Sequence, residues 1–328
     1  MCVSAMNVWI LYGEDIESSV DLAFEVRRMI AEGQKMGIRV DVIKPQHFDL
    51  LITEEKRNSI LVNGEHRALP DFVFPYLAEN DRNFFSFAVV RQLRQLGVPV
   101  FNNETTIEMV GDKLHTHQVL AREGLPTPTT LLAKFPVDLE LVQDTIGFPV
   151  VVKTRLGSNG TGVFLIEHPQ AFSDLMKLIE ETNPHIQLIF QKFISFSKGR
   201  DLRLFVVDGH VVAAMERRAK EGDFKANYSA GGSVHLFTPD KEAEELALRT
   251  SEILNIDVSG VDLLFSEQGY TICEANTFPG FKGLESATGE NIPRFIFEAM
   301  QRRLGVGGKK ISGSDTVEGM DIPAQVVG

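Results

Sequence analysis

The chain has 328 residues, 43% hydrophobic and 24% charged, an ordinary globular composition with length for roughly two domains. Acidic residues outnumber basic ones by 45 to 33, a net charge of −12 that argues against a dedicated nucleic-acid binder but leaves a local phosphate site open. Two cysteines, Cys2 and Cys273, exclude a disulfide framework and a four-cysteine zinc site and fit a reducing cytoplasm; no apolar run reaches a membrane span and no signal-peptide pattern opens the chain.

Val8–Leu11 is a short apolar run ended by Gly13 and reads as a first buried strand. Leu22, Val26, Met29 and Ile30 follow at helical spacing, with Gly33 and Gly37 closing that helix. Arg39–Ile43 is a second strand, Phe72–Phe74 a third ended by Pro75, Phe84–Leu96 a helix and Val98–Phe101 a fourth strand. This alternation implies a parallel α/β layer over residues 1–105. Gly111–Gly124 reads as a polar helix, followed by a Pro126-Thr127-Pro128 linker. From Val150 onward, apolar runs joined by glycine turns predict antiparallel hairpins. They are interrupted by a helix over Pro239–Leu254 with Thr238 as its N-cap, and followed by a last helix over Ile292–Leu304. Residues 306–328 read as a mobile tail.

Three features carry chemistry. The first is the run Val150-Val151-Val152-Lys153 followed by Gly157-Ser158-Asn159-Gly160-Thr161-Gly162 and a second strand, Val163–Ile166. Three glycines in six residues let backbone N–H groups approach an anion, and Lys153 reaches the same place. The pattern is neither a Walker loop nor a dinucleotide fingerprint, and a long flexible hairpin turn is an equal reading. The second is a hairpin over Gly260–Ser266 and Tyr270–Ala275 with a three-residue loop, Glu267-Gln268-Gly269. That register sets Asp262 opposite Glu274 and puts Asn276 on the same face, while Cys273 alternates away as a core thiol. Directly opposed carboxylates repel, so a hard cation such as Mg²⁺ between them is favoured over pairing with a neighbouring Lys or Arg. The third is a hairpin around Asp208-Gly209, whose register predicts Asp201 opposite Glu216, with Arg203 diagonal to Glu216. Arg217, Arg218 and the polar loop 219–227 continue it, either as cations for a phosphate and a carboxylate or as a structural ion-pair ladder. The histidines, among them His115, His117 and His210, show no metal-ligand spacing.

Gly199-Arg200-Asp201-Leu202-Arg203, the run Glu216–Phe224, Asn227 with Gly231-Gly232, Gly260-Val261-Asp262 and Glu274–Gly280 occur in order. With the glycine loop and Gly111-Asp112-Lys113, they closely resemble the ATP-grasp ligases, and among them the RimK-like α-L-glutamate ligases, over about residues 105–300. The resemblance implies an α/β and α+β protein: an ATP-grasp fold with an N-terminal α/β pre-ATP-grasp domain (1–105), a central lobe (106–190), a C-terminal lobe (191–305) and the tail (306–328). It implies that Lys113, Lys153 and the loop residues Gly157, Ser158, Gly160 and Gly162 contact ATP phosphates. Lys192 and Phe193 would lie along the adenine, and Asp201, Lys225 and Asn227 would complete the nucleotide site. Asp262, Glu274 and Asn276 would hold Mg²⁺ or Mn²⁺, two ions in all, with Arg203 and Arg217 steadying an acyl phosphate.

The implied reaction is ATP-dependent amide or peptide-bond formation through that acyl phosphate, joining a carboxylate substrate to an amino acid, with glutamate favoured. A cytoplasmic homodimer or homotetramer, with neither nucleic acid nor membrane as partner, belongs to the same expectation. Two other readings stand beside it: a non-catalytic ATP-binding regulatory module, and a ligase acting on a carrier-protein-bound amino acid in lysine or arginine biosynthesis. A dinucleotide-dependent oxidoreductase has little support, because no G-x-G-x-x-G follows the first strand. The chain departs from the family at Lys192, where an acid is usual, and at Lys225, where arginine is frequent. It also departs at Pro75–Phe85, where many relatives carry a Pro-Arg substrate loop, so the acceptor is left open.

Overall fold

The computed structural model describes residues 5–18, 21–52, 54, 60–157, 162–226 and 231–306. In chain order the first part is β1 (Asn7–Leu11), α1 (Asp21–Lys35), β2 (Arg39–Ile43), β3 (Phe48–Leu50), β4 (Ile60–Val62), β5 (Glu65–His66), β6 (Phe72–Pro75) and α2 (Phe84–Gln95). The order β2-β1-β6, all parallel, gives β1 a neighbour on either side, and its residues Val8–Leu11 are fully buried, as an unbroken apolar run requires. Gly33, expected to end the first helix, lies inside α1. A Cβ there would come within 2.5 Å of Val40 Cγ2, so glycine lets the helix press onto β2, and Gly37 at φ +68° ends it. The expected fourth strand shrinks to one parallel bridge, Val73–Val100, because Pro99 has no N–H and Asn102 turns the chain away at φ +56°. The antiparallel sheet β3-β4-β5 was not foreseen; its strands are only two or three residues long.

The expected helix over residues 111–124 is instead α3 (Glu104–Gly111) and α4 (Lys113–Arg122). Asp112 separates them, its carboxylate accepting from the N–H groups of Leu114 and His115 as the cap of α4. Then come β7 (Thr130–Leu132), α5 (Leu139–Thr145), β8 (Val150–Thr154), β9 (Val163–Ile166), α6 (Pro169–Thr182) and β10 (Leu188–Lys192). The four strands form an antiparallel sheet in the order β7-β10-β8-β9. Helix α6 falls where only hairpins were expected. Its Phe172 and Met176, one turn apart, are buried, and Phe172 meets Phe148 and Phe190 edge to face.

The last part runs β11 (Arg200–Val207), β12 (His210–Arg218), β13 (Ser233–Leu236), α7 (Lys241–Ile253), β14 (Val258–Ser266), β15 (Gly269–Asn276), α8 (Lys282–Thr288) and α9 (Ile292–Arg303). Its sheet has the order β13-β12-β11-β14-β15. Helix α7 starts later than expected, with Asp240 rather than Thr238 as its cap, because the Asp240 carboxylate reaches the Ala243 N–H. Of the predicted tail only Val306 is described; residues 307–328, like Cys2, lie outside the described residues.

Three apolar clusters hold these parts. One joins the β2-β1-β6 layer to α8, α9 and residues Phe205, Val207 and Met215 of the large sheet. A second lies under that sheet's other face, with α4 and α7. The third belongs to the β7-β10-β8-β9 sheet and its two helices. Polar contacts reinforce the first junction. The buried Asn102 side chain donates to the carbonyls of Val258 and Thr277, both at 2.7 Å, and accepts from the N–H groups of Asp257 and Val258. From α1, Arg28 pairs with both oxygens of Glu285 at 2.9 Å, and Glu25 accepts from the N–H groups of Phe281 and Lys282.

Candidate active site

A cleft lies between the β7-β10-β8-β9 sheet and the large sheet. The first of these sheets supplies Lys153 at the end of β8 and Lys192 at the end of β10, with Gln191 beside it. Lys113 enters from the first turn of α4 and donates to the Gly157 carbonyl, while Arg155 pairs with the capping Asp112. The helix start is thereby fastened to the root of the glycine loop. Gly157 lines the cleft. Gly162, at φ +72°, lies where a Cβ would come 2.8 Å from Thr154 Oγ1, and its carbonyl accepts from the Thr154 N–H. Ser158, Gly160 and Asn227 lie outside the described residues.

The large sheet supplies Asp201, Arg217, Asp262, Glu274 and Asn276. Two of the expected registers change at bulges. Asp201 stands opposite Arg217, not Glu216, because Val212 is an extra residue in β12 and shifts every pairing beyond it by one. Arg203 likewise faces Met215 on that side and Asp262 on the other. The second hairpin turns on two residues, Glu267 and Gln268, rather than three. An extra residue at Cys273 then restores the register, so Asp262 does stand opposite Glu274. The bulge also brings Cys273 into the cleft with Glu274, where it lies 4.0 Å from Lys153 Nζ, instead of sending it into the core. Burial pushes its thiol up to about 12, so no nucleophilic thiolate forms near neutrality.

The charge of Asp262 is met by arginine. Arg203 donates to both its oxygens at 2.7 Å, and Arg217 adds a bond of 2.8 Å while gripping Asp201 at 2.6 and 2.8 Å. Burial alone would raise the Asp262 carboxyl, but the two guanidinium groups overcome it and hold the group at about 2. At Asp201, burial outweighs its one shared arginine and pushes the carboxyl up. The expectation that a cation must separate Asp262 from Glu274 is thus corrected in part, since protein cations already neutralise one of the two. Glu274, among the described residues, has no ion pair.

The donor set still suits Mg²⁺. Three arginine N–H groups occupy three of the roughly four acceptor positions of Asp262, and Glu274 and the Asn276 amide add hard oxygens on the same wall. Asn276 Nδ2 donates to the Gly260 carbonyl at 3.4 Å, which turns its amide oxygen the other way. No group of three or more His, Cys, Asp or Glu side chains suited to a metal occurs among the described residues, as expected of a set with two carboxylates and an amide.

Part of the cleft lining is apolar, and of it only Phe193 was expected from sequence. Val151, Val163, Phe193, Ile194, Phe224 and Leu264 form walls for a flat aromatic ring, and Lys225 stands at the rim. Their signal was only apolar alternation, which does not separate a binding wall from a core. Behind Gln191 lies His117, one of the histidines without ligand spacing; its Nε2 is 3.0 Å from Gln191 Nε2, and the Gln191 amide also donates to Thr130. Burial, and secondly Lys153, push His117 down to about 4. The unfolded chain, with an ordinary histidine near 6.5, therefore takes up this proton before the folded one. Stability due to this group is full above about pH 6.5 and is lost as pH falls toward 4. Urea unfolding at pH 7.5 and pH 5 should differ by about 2 kcal/mol on this account, and His117→Gln should lose that share. An unchanged pH dependence in the variant would refute it.

Comparison with known proteins bears on this arrangement. The RimK-like ATP-grasp domain model matches residues 110–300 and the RimK PreATP-grasp domain model residues 6–107. The chain is 33% identical over 285 residues, 87% of its length and 94% of the relative's, to a probable alpha-L-glutamate ligase of Trichodesmium erythraeum. Among solved structures, it is similar to the ATP-grasp ligase PsnB complexed with minimal precursor, Mg and ADP (TM-score 0.69, 18% identity, covering 91% and 98% of the two chains). It is also similar to the D-alanine–D-alanine ligase of Bacillus anthracis (TM-score 0.65, 17% identity, 92% and 99% covered). At those identities the two structures speak to the fold alone.

Proposed function

The chain belongs to the RimK-like ATP-grasp family of ATP-dependent ligases forming carbon–nitrogen bonds, and on that premise we propose that it joins a carboxylate to the amine of an amino acid, with glutamate favoured, through an acyl phosphate. The observation that carries this reading is the single cleft in which Lys113 and Lys153 stand at one side and Asp262, Glu274 and Asn276 at the other, with an apolar slot beside them. The adenine lies in the slot against Phe193 and Ile194, while the two lysines draw the phosphates to the glycine loop. Asp262, Glu274 and Asn276 are the residues that would hold Mg²⁺, which supplies charge neutralisation on the phosphates when bound.

The substrate carboxylate attacks the γ-phosphorus, and ADP leaves. The amine then attacks the acyl carbon, phosphate departs, and the amine gives up a proton. Arg217, on the cleft wall and fixed by Asp201 and Asp262, brings a preorganised cation to the transferring group, while Arg203, which is not among the residues lining the cleft, acts through the Asp262 carboxylate it holds. The two lobes position the reactants and exclude water from the activated carbonyl. The Cys273 thiol stays protonated and takes no part. No helix among the described residues is long and apolar enough to cross a membrane. A cytoplasmic location and a homodimeric or homotetrameric assembly belong to this reading and rest on the family resemblance.

The test is direct. Purified protein with ATP and Mg²⁺ should release ADP and phosphate when the right amino acid and carboxylate are supplied, with glutamate the first to try. The product should be heavier than its parent carboxylate by one amino-acid residue. Failure of every amino acid and peptide pair to stimulate release would remove the ligase reading.

A further inference from the structure

The loop after β6 brings one more cation against the segment that leaves β15. Arg82 follows the short turn at residues 79–81, and its guanidinium lies 5.0 Å from the centre of the Phe278 ring. Its Nε donates to the Leu77 carbonyl at 3.3 Å. No carboxylate stands within 4.0 Å of it among the described residues, and its two terminal nitrogens have no hydrogen-bond partner there. Burial is the main force on this group and lowers its affinity for the proton, with the charge of Glu79, three residues earlier, acting against it from beyond contact distance. An arginine that is largely removed from water and yet unpaired is uncommon, because the desolvation of a guanidinium is normally met by an acid.

Its surroundings locate it. Phe278 follows Asn276 by two residues in the segment that leaves β15. Pro279 of the same segment lies against Gly260 and close to Arg203, and its carbonyl accepts from the buried Tyr76 hydroxyl at 3.3 Å. Tyr76 and Phe278 pack edge to face. Arg82 is also near enough to Lys113 to act on its charge. The segment after the hairpin that carries Asp262 and Glu274 therefore lies against Gly260 through Pro279 and meets Arg82 through the Phe278 ring. With Nε engaged, the end of the guanidinium fork remains free, and that edge matches a carboxylate with two parallel N–H···O bonds.

We propose that Arg82 binds a substrate carboxylate that does not react, the α-carboxylate of the amino acid whose amine is ligated; this rests on the ligase reading above. Phosphate is the other oxyanion that such a fork fits. The nucleotide phosphates already have Lys113 and Lys153 on the cleft wall, whereas Arg82 is outside the cleft lining and comes from the first layer of the protein.

The protein, loaded with Mg²⁺ and a non-hydrolysable ATP analogue, is titrated calorimetrically with L-glutamate and with its α-carboxamide. The wild type should favour the carboxylate by roughly 30-fold, the worth of a charge-assisted pair. Arg82→Gln should lose that preference, Arg82→Lys should keep part of it, and nucleotide affinity should stay within about twofold in both. If glutamate does not bind, the other amino acids are titrated in the same way. A preference that survives in Arg82→Gln overturns the proposal. So does a matching loss of nucleotide affinity, which would make Arg82 a phosphate ligand, or failure of every amino acid to bind the wild type. Arg82-dependent binding without any turnover would instead leave this site standing and remove the ligase reading.

Discussion

Replacing Glu274 with glutamine is expected to lower ligation by about 10²–10³-fold while leaving the folded state as stable as before. Glu274 has no ion pair within 4.0 Å among the described residues and stands opposite an Asp262 already neutralised by two arginines, so its charge adds little to the fold beyond a longer-range attraction to Lys113. What it offers is a free carboxylate on the wall of the cleft. Removing one hard donor from a Mg²⁺ site withdraws several kcal/mol of charge stabilisation from phosphoryl transfer. The measurement pairs initial rates over a Mg²⁺ titration with urea unfolding of the metal-free protein. Stability should be unchanged to within about 0.5 kcal/mol. Full turnover in the variant would remove Glu274 from the metal site, and a large loss of stability would make its role structural.

Asp262→Ala, one position across the same hairpin, should behave differently. Asp262 is 1% exposed and receives three arginine N–H bonds, two from Arg203 and one from Arg217. Deleting it leaves the buried Arg217 with Asp201 as its sole acid and strips Arg203 of its pair. Removing one partner of a buried ion network costs about 3–5 kcal/mol, a large part of the stability of most proteins. The expected result is a chain that unfolds at markedly lower urea and has no activity. Where that chain does not accumulate, Arg203→Met provides a gentler reading, since it frees one oxygen pair of Asp262 but leaves the Arg217 bond. A loss below about 1 kcal/mol in both variants would show that the network does not hold the sheet. The contrast between Glu274 and Asp262 gives Asp262 a structural share in the sheet beside the metal-binding role proposed for both.

That contrast also marks what the sequence could reveal. The pairing of Asp262 with Glu274 was legible, but through an assumed three-residue turn. The real turn has two residues, and the bulge at Cys273 supplies the difference. Bulges leave little trace in composition, since Cys273 and Val212 look like any other strand residue. The same blindness misplaced Asp201 by one position and hid its bond to Arg217. Charged residues bunched in hairpins were easy to find because charge in a β-branched run is conspicuous. His117, Gln191 and the apolar slot were not, because their role depends on which strands become neighbours. Helix α6 was obscured by the hairpin pattern assumed around it, and Arg82 was simply one polar residue of a loop.

The division of apolar packing has a mechanical meaning. Two of the three clusters share the large sheet as a common wall, and Asn102, Glu25 and Arg28 lock the first layer to it. The third cluster is self-contained; residues 125–129 and 193–199 connect it to the rest, and the Lys113–Gly157, Arg155–Asp112 and Gln191–His117 contacts fasten it to α4. A swing of this part about those two connections would have to break these three contacts while leaving each apolar cluster whole. The free energy of such a movement is set by those contacts and by whatever lies between Lys153, Lys192 and Glu274, so the occupant itself adds to the latch.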